Sequence, residues 1–319
     1  MLDHWIDVHA HFTPPTTPEA RHARWEAMRA ELFLVPEPHQ WSPEATLDYM
    51  DRAGIAMQML SNIPKVLQDL QASNNYAASL VAKHPARFGL LAALPTDDPA
   101  AALAEIERAS SELHADGFAV TCCYNGIYLS DPLLEPVWAE LNRRHAVVFA
   151  HPNAWAPASM GRPSPVLEVA FETARTVVDM LYAGIFRRFP DVTLVLAHCG
   201  GALPAFSGRL LLLGTEPWVP NPERITQQEM RETLSRLYLD TAATGSAHTL
   251  APALAITTCD HLVYGSDCGV PCTTEATMAA NIEALLSFTG LTHEQIESIG
   301  HNALRLFPRA ASRIATSAR

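Results

Sequence analysis

Short, unbroken apolar runs recur along the chain, and stretches with helical periodicity separate them. Runs such as "VVFAH" and "TLVLAH" show no apolar–polar alternation, the pattern of strands buried on both faces of a parallel sheet. The pattern predicts strands near 5–9, 55–61, 88–94, 117–122, 146–150, 193–197, 236–240 and 261–265. It predicts helices at 43–53, 73–84, 99–114, 132–144, 166–188, 247–257 and 273–288. Two of these carry clear boundary signals. Helix 43–53 has Ser42 to cap it, Pro43 at its first position and Gly54 just past its end. Helix 99–114 opens on Pro99 behind an acidic "TDD".

Eight strands alternating with helices predict an α/β fold, a (β/α)8 TIM barrel. The rival, a doubly wound open sheet, calls for a glycine-rich phosphate loop after a strand, and no G-x-G-x-x-G occurs. Segment 12–41 is polar and rich in proline and reads as an irregular insertion after strand one, lying over the barrel mouth. Segment 214–230 reads the same way. No repeat or linker divides residues 1–319, so the whole chain is expected to form one domain.

Ionisable residues collect at the C-terminal ends of the strands, where a barrel keeps its active site. Strand one ends in His9 and His11, strand five in His151, strand six in His198 and strand eight in Asp267. His9 and His11 are two apart, so on a strand both point to the same side, here the barrel axis. With His151 and Asp267 arriving from across the mouth, three nitrogens and one oxygen would surround one point. That set suits Zn²⁺ and accepts Mn²⁺ or Fe²⁺. A lone histidine at a strand end is commonly a hydrogen-bonded structural residue; five ionisable residues on four strand ends argue instead for a metal site. His4, His22, His39, His84, His114 and His248 fall in helices or loops and read as solvated or capping.

Composition narrows the partners. Apolar residues make up 48% of the 319, ample for a large core, and no uninterrupted apolar run reaches the ~18 residues a membrane span needs. The formal net charge is −12 and no basic cluster occurs, which excludes nucleic acid and anionic membrane surfaces as partners. A small anionic substrate would need local arginines. The six cysteines form no C-x-x-C pair, and the N-terminus lacks a basic stretch followed by an apolar one. Reduced thiols in a cytoplasmic enzyme are therefore expected.

The ordered motifs "IDVHAHF", "FAHPN", "LVLAHCGGALPAFSGRL" and "LVYGSDCGVP" resemble the amidohydrolase superfamily. The branch is the one containing aminocarboxymuconate semialdehyde decarboxylase and the hydroxybenzoate and methylsalicylate decarboxylases. "GIFRRFPDVTLVLAHCGG" and "YMDRAGIAMQMLS" extend the resemblance over nearly the whole chain. It implies a metal held by His9, His11, His151 and Asp267, with His198 beside a metal-bound water and active in proton transfer. It implies that Arg209 helps hold a substrate carboxylate, that Glu172 orients a ligand from behind, and that the chain forms a homodimer or larger assembly. For Glu172, a plain helix-terminal charge is the alternative. Binuclear members bridge their metals with a carboxylated lysine from the fourth strand, but "GFAVTCCYN" has none, and the only lysines are Lys65 and Lys83. One divalent metal is expected, Zn²⁺ first and Mn²⁺ second.

Two departures bear on the substrate. The aminocarboxymuconate semialdehyde enzyme has an arginine just before a W-x-P-E segment, where this chain reads "FLVPEPHQWSPE", so that substrate is disfavoured. An aromatic residue often follows the family's metal aspartate, and here Cys268 and Gly269 follow it. The implied reaction is non-oxidative decarboxylation of a small aromatic or unsaturated acid. Arg209 and Arg175 would hold anionic oxygen, and His198 or Asp267 would deliver the proton. Phe12, Trp155 and Phe171 would wall the ring, or merely pack; Arg175 has a solvent-facing ion pair as its alternative. Hydrolysis of a lactone, amide or ester, or a hydration, would use the same residues.

Overall fold

The computed structural model describes residues 2–243 and 246–317. Eight parallel strands pair in chain order. They are β1 (Trp5–His11), β2 (Ile55–Ser61), β3 (Phe88–Ala93), β4 (Gly117–Thr121), β5 (Val147–His151), β6 (Thr193–Leu196), β7 (Tyr238–Asp240) and β8 (Leu262–Val263). The segment following β8 brings the sheet back to β1. Val8 N donates to Tyr264 O at 2.9 Å, Asp267 N to His9 O at 2.9 Å and His11 N to Cys268 O at 2.7 Å. The (β/α)8 barrel predicted from the apolar runs is the fold observed.

Two apolar layers sit on either side of the strands. Ile6, Val8, Met57, Met59, Leu91, Ala119, Phe149, Val195 and Val263 fill the inside, with Phe307 among them. A larger layer containing Trp5, Leu60, Leu90, Phe118, Val148 and Leu196 packs between strands and helices. Both faces of each strand are therefore apolar, which is why the runs do not alternate.

The helix boundaries follow local chemistry. Ser42 Oγ accepts from Ala45 N, Gly54 ends helix Pro43–Ala53 at φ +81°, and Asp98 caps helix Pro99–Ser111. Some readings are corrected. Segment 12–41 is not irregular throughout, because Thr17 caps a helix over Pro18–Ala30. Thr226 and Glu229 likewise form a capping box that starts helix Gln227–Arg236 inside 214–230. Helix 73–84 begins at Leu67, and 166–188 is two helices, Glu168–Tyr182 and Ile185–Arg188, parted at Gly184 with φ +71°. Helix Leu203–Leu213 and the C-terminal helices His293–His301 and Pro308–Ser317 were not foreseen. From segment 12–41, His39 Nε2 contacts Gly269 O at 3.0 Å and Glu31 accepts from Ala158 N at 3.1 Å, so it reaches the loops after β8 and β5.

Candidate metal centre

The site begins with an irregularity in β1. Between Asp7 and Ala10 the strand advances three residues while β2 advances two, from Gln58 to Leu60. Such a bulge re-aims side chains. Val8 belongs to the inner apolar layer, and the next residue, His9, also faces inward, its ring 5.0 Å from that of Phe149. His9 and His11 then point the same way, with Nε2 atoms 3.0 Å apart.

The partners converge from the far side. The His151 ring lies 5.0 Å from His9 and 4.9 Å from His11, and the His198 ring lies 4.8 Å from His9. Asp267 Oδ1 is 3.3 Å from His9 Nε2 and 3.4 Å from His11 Nε2. His9, His151, His198 and Asp267 can each offer one ligand atom within 4.8 Å of all the others. His198 therefore sits close enough to be a ligand itself, and His11 joins through its contacts with His9 and Asp267.

The outer nitrogens fix the orientation of all four rings. His9 Nδ1 is 2.6 Å from Asp240 Oδ2, His11 Nδ1 3.2 Å from Ser61 O, His151 Nδ1 2.6 Å from Pro152 O and His198 Nδ1 3.2 Å from Ala242 O. Each Nδ1 faces an acceptor and so carries the hydrogen, which turns every Nε2 lone pair toward the centre. The Nε2 of His151 is buried with no hydrogen-bond partner. Thr273 Oγ1 donates to Asp267 Oδ2 at 3.1 Å, leaving Oδ1 for the centre. Buried, inward-facing imidazole nitrogens and a carboxylate oxygen form a donor set that fits a divalent ion.

Charge supports the same placement. Burial pushes His151 and His198 below the usual imidazole range, with neighbouring histidines adding to it. Burial also opposes charge on Asp267 and His9, but here partners win. The His11 and His9 contacts hold Asp267 well below the carboxylate range, and Asp240 with Asp267 raises His9 to about 10. Asp267 thus favours positive charge where the Nε2 atoms meet, while Asp240 acts on His9 from its outer nitrogen.

Local backbone strain serves this geometry. His198 and Asp267 both adopt left-handed φ, +53° and +59°, which non-glycine residues hold only when their surroundings impose it. Gly201 follows because a Cβ there would lie 2.1 Å from Ala170 O on helix Glu168–Tyr182.

The residues expected to meet substrate differ in setting. Phe12 is buried against Trp41 and Tyr76, with ring centroids 6.1 Å away in each case. Trp155 and Phe171 are exposed, and Arg175 lies over the Phe171 ring while pairing with Glu168 at 3.2 Å, the solvent-facing arrangement. Arg209 is exposed on helix Leu203–Leu213, and among the described residues no hydrogen bond or ion pair ties it to the histidines. Glu172 is buried and accepts from Asn153 N, just beyond His151, and burial raises its pKa. Asp240 was missed, although it ends β7 and meets the criterion that found the other ionisable strand ends. Ser61 O and Ala242 O had no sequence signal, since backbone acceptors are specified by topology. A cavity of about 530 Å³ lined by Leu2, Tyr49 and Ile282 is separate, and none of the four histidines lines it.

Comparison with known proteins places this centre in context. The model of the family described as amidohydrolase matches residues 6–309. The chain belongs to the amidohydrolase family. It is 32% identical to the decarboxylase YanB of Aspergillus niger, over 95% of this chain and 87% of that protein. It is 31% identical to the 6-methylsalicylic acid decarboxylase AcuB of Aspergillus aculeatus, over 95% and 96%. A solved amidohydrolase II superposes with a TM-score of 0.80 at 27% identity, covering 95% of this chain and 99% of that one. In this amidohydrolase, no helix among the described residues is long and apolar enough to cross a membrane.

Proposed function

We propose that this amidohydrolase is a metal-dependent, non-oxidative decarboxylase of a small aromatic or unsaturated carboxylic acid of the hydroxybenzoate kind. The carrying observation is the cluster of His9, His151, His198 and Asp267, joined by His11 through its contacts with His9 and Asp267, at the barrel mouth of a chain similar, over nearly its full length, to decarboxylases. His9, His11, His151 and Asp267 are the proposed ligands, and the donor set favours one Zn²⁺, with Mn²⁺ the alternative. Bound there, a divalent ion supplies positive charge that binds and polarises the acid's oxygens.

The chain's own residues do the rest. His198 donates Nδ1–H to Ala242 O, so its Nε2 is free to take a proton and pass it to the ring carbon bearing the carboxylate. That carbon gains a C–H bond, the bond to the carboxylate breaks, its electron pair restores conjugation, and CO₂ leaves. Asp267 is the other candidate donor. Glu172, through Asn153 N, steadies the loop leaving His151. Segment 12–41, through Glu31 and His39, screens the mouth from water. Arg209 and Arg175 lie on exposed helix faces, so in a single chain they attract an anion at a distance rather than touch it. The free thiols, several of them buried, support a cytoplasmic setting, and the family resemblance supports a homodimer or larger assembly.

The test is CO₂ evolution from hydroxybenzoates, 6-methylsalicylate among them, beside hydrolysis of lactones and anilides. Stoichiometric CO₂ is expected, with solvent deuterium incorporated at the vacated carbon. Turnover confined to the hydrolytic panel overturns the reading.

A further inference from the structure

We infer that Asp7 is a positioning residue for the metal centre, its one carboxylate tying the bulge that aims His9 to the turn that carries Asp267. The inference rests on the metal reading above. Asp7 is completely buried, and among the described residues none of its hydrogen bonds goes to an imidazole ring. Four donors converge on it. Oδ1 accepts from His9 N at 3.1 Å and Ser266 N at 3.0 Å. Oδ2 accepts from Ser266 Oγ at 2.5 Å and Gln58 Nε2 at 2.9 Å.

The identity of these donors makes the argument. A bulge leaves a backbone N–H without its ladder partner, and a buried N–H must find another. Here the orphan belongs to His9, and Asp7 satisfies it. The second amide belongs to the residue immediately before Asp267. Ser266 Oγ in turn accepts from Cys268 N at 3.0 Å, the residue immediately after it. Asp267, with its left-handed backbone, is thereby bracketed on both sides by groups anchored to Asp7. Only a carboxylate presents two oxygens able to accept from four donors at once.

Co²⁺ binding, read by titration and by visible absorption, tests this in the full-length protein stripped of metal. The wild type should bind one Co²⁺ per chain. Asp7→Ala should weaken binding by roughly 10- to 100-fold, the usual effect of losing a group that orients ligands, and shift the absorption bands. Asp7→Asn should restore most of the affinity. Its oxygen can keep both backbone amides, while the Ser266 hydroxyl and Gln58 amide turn to accept. Ser266→Ala, a milder change, should show an intermediate loss and stands in if Asp7→Ala does not fold. Glu105→Gln is the control, a completely buried carboxylate bonded to Asn74 and Arg108 away from the site. It should lower the melting temperature with Co²⁺ affinity and spectrum unchanged. The inference is overturned if Asp7→Ala and Ser266→Ala behave like this control. If the wild type takes up no Co²⁺, the metal reading itself falls.

Discussion

Asp240→Asn isolates how much of the metal affinity comes from a residue that is not a ligand. Asp240 and His9 are both completely buried, and His9 Nδ1 lies 2.6 Å from Asp240 Oδ2. The other oxygen accepts from Ala242 N at 3.0 Å and Cys199 N at 3.4 Å. A carboxylate accepts on both sides, whereas an amide accepts on one. Backbone N–H groups cannot turn away, so the asparagine oxygen stays with them and its NH₂ faces His9 Nδ1. The imidazole then relieves the donor–donor conflict by moving its hydrogen to Nε2, into the ligand position. A hydrogen bond to a charged partner contributes about 1.5–3 kcal/mol, which corresponds to roughly a 10- to 100-fold loss of affinity. Calorimetric titration of the metal-free variant with Zn²⁺ or Mn²⁺, with circular dichroism to verify the fold, measures it. A folded Asp240→Asn protein with native affinity would refute the tautomer argument.

Three further outcomes follow from particular contacts. Chelation should lower stability by RT ln(1 + [metal]/Kd), about 2.7 kcal/mol at a hundredfold excess over Kd, visible as a fall in Tm of several degrees; an unchanged Tm would speak against the site. Burial raises the Glu172 pKa above its ordinary 4.5, so the fold penalises the ionised form and the penalty grows as pH rises through the folded-state value. Glu172→Gln, which keeps an acceptor for Asn153 N, should therefore be more stable than wild type at neutral pH. The difference should close as Glu172 of the wild type becomes protonated in acid, and thermal melts at several pH values check the sign. Arg313 pairs with Asp116 through two 2.9 Å bonds, and the Asp116 side chain is 1% exposed. Arg313→Ala strands that carboxylate with only Leu90 N and should cost about 3 kcal/mol in urea unfolding, against under 1 for an exposed pair.

The sequence by itself determined the barrel, the number and order of its strands, and the five ionisable residues at or just past their ends, His198 and Asp267 lying in the turns beyond β6 and β8. These are local properties. Burial on both faces writes itself as unbroken apolar runs, and a strand ending at the mouth can only present its last side chains there. Boundaries were less legible where tertiary packing decides them, as with helix Leu67–Lys83, whose cap residue Val66 makes no side-chain bond, and helix Leu203–Leu213. What only the tertiary structure decided is how the site is aimed. The alternation rule gave His9 and His11 the same side, but that this side is the barrel axis depends on the bulge after Asp7. The direction of each Nε2 depends on Asp240, Ser61 O, Pro152 O and Ala242 O. Of these, only Pro152 O is adjacent in sequence to the histidine it orients. The others reach their partners solely because the chain closes into a barrel, and a single sequence does not record hydrogen bonds between residues its fold has yet to bring together.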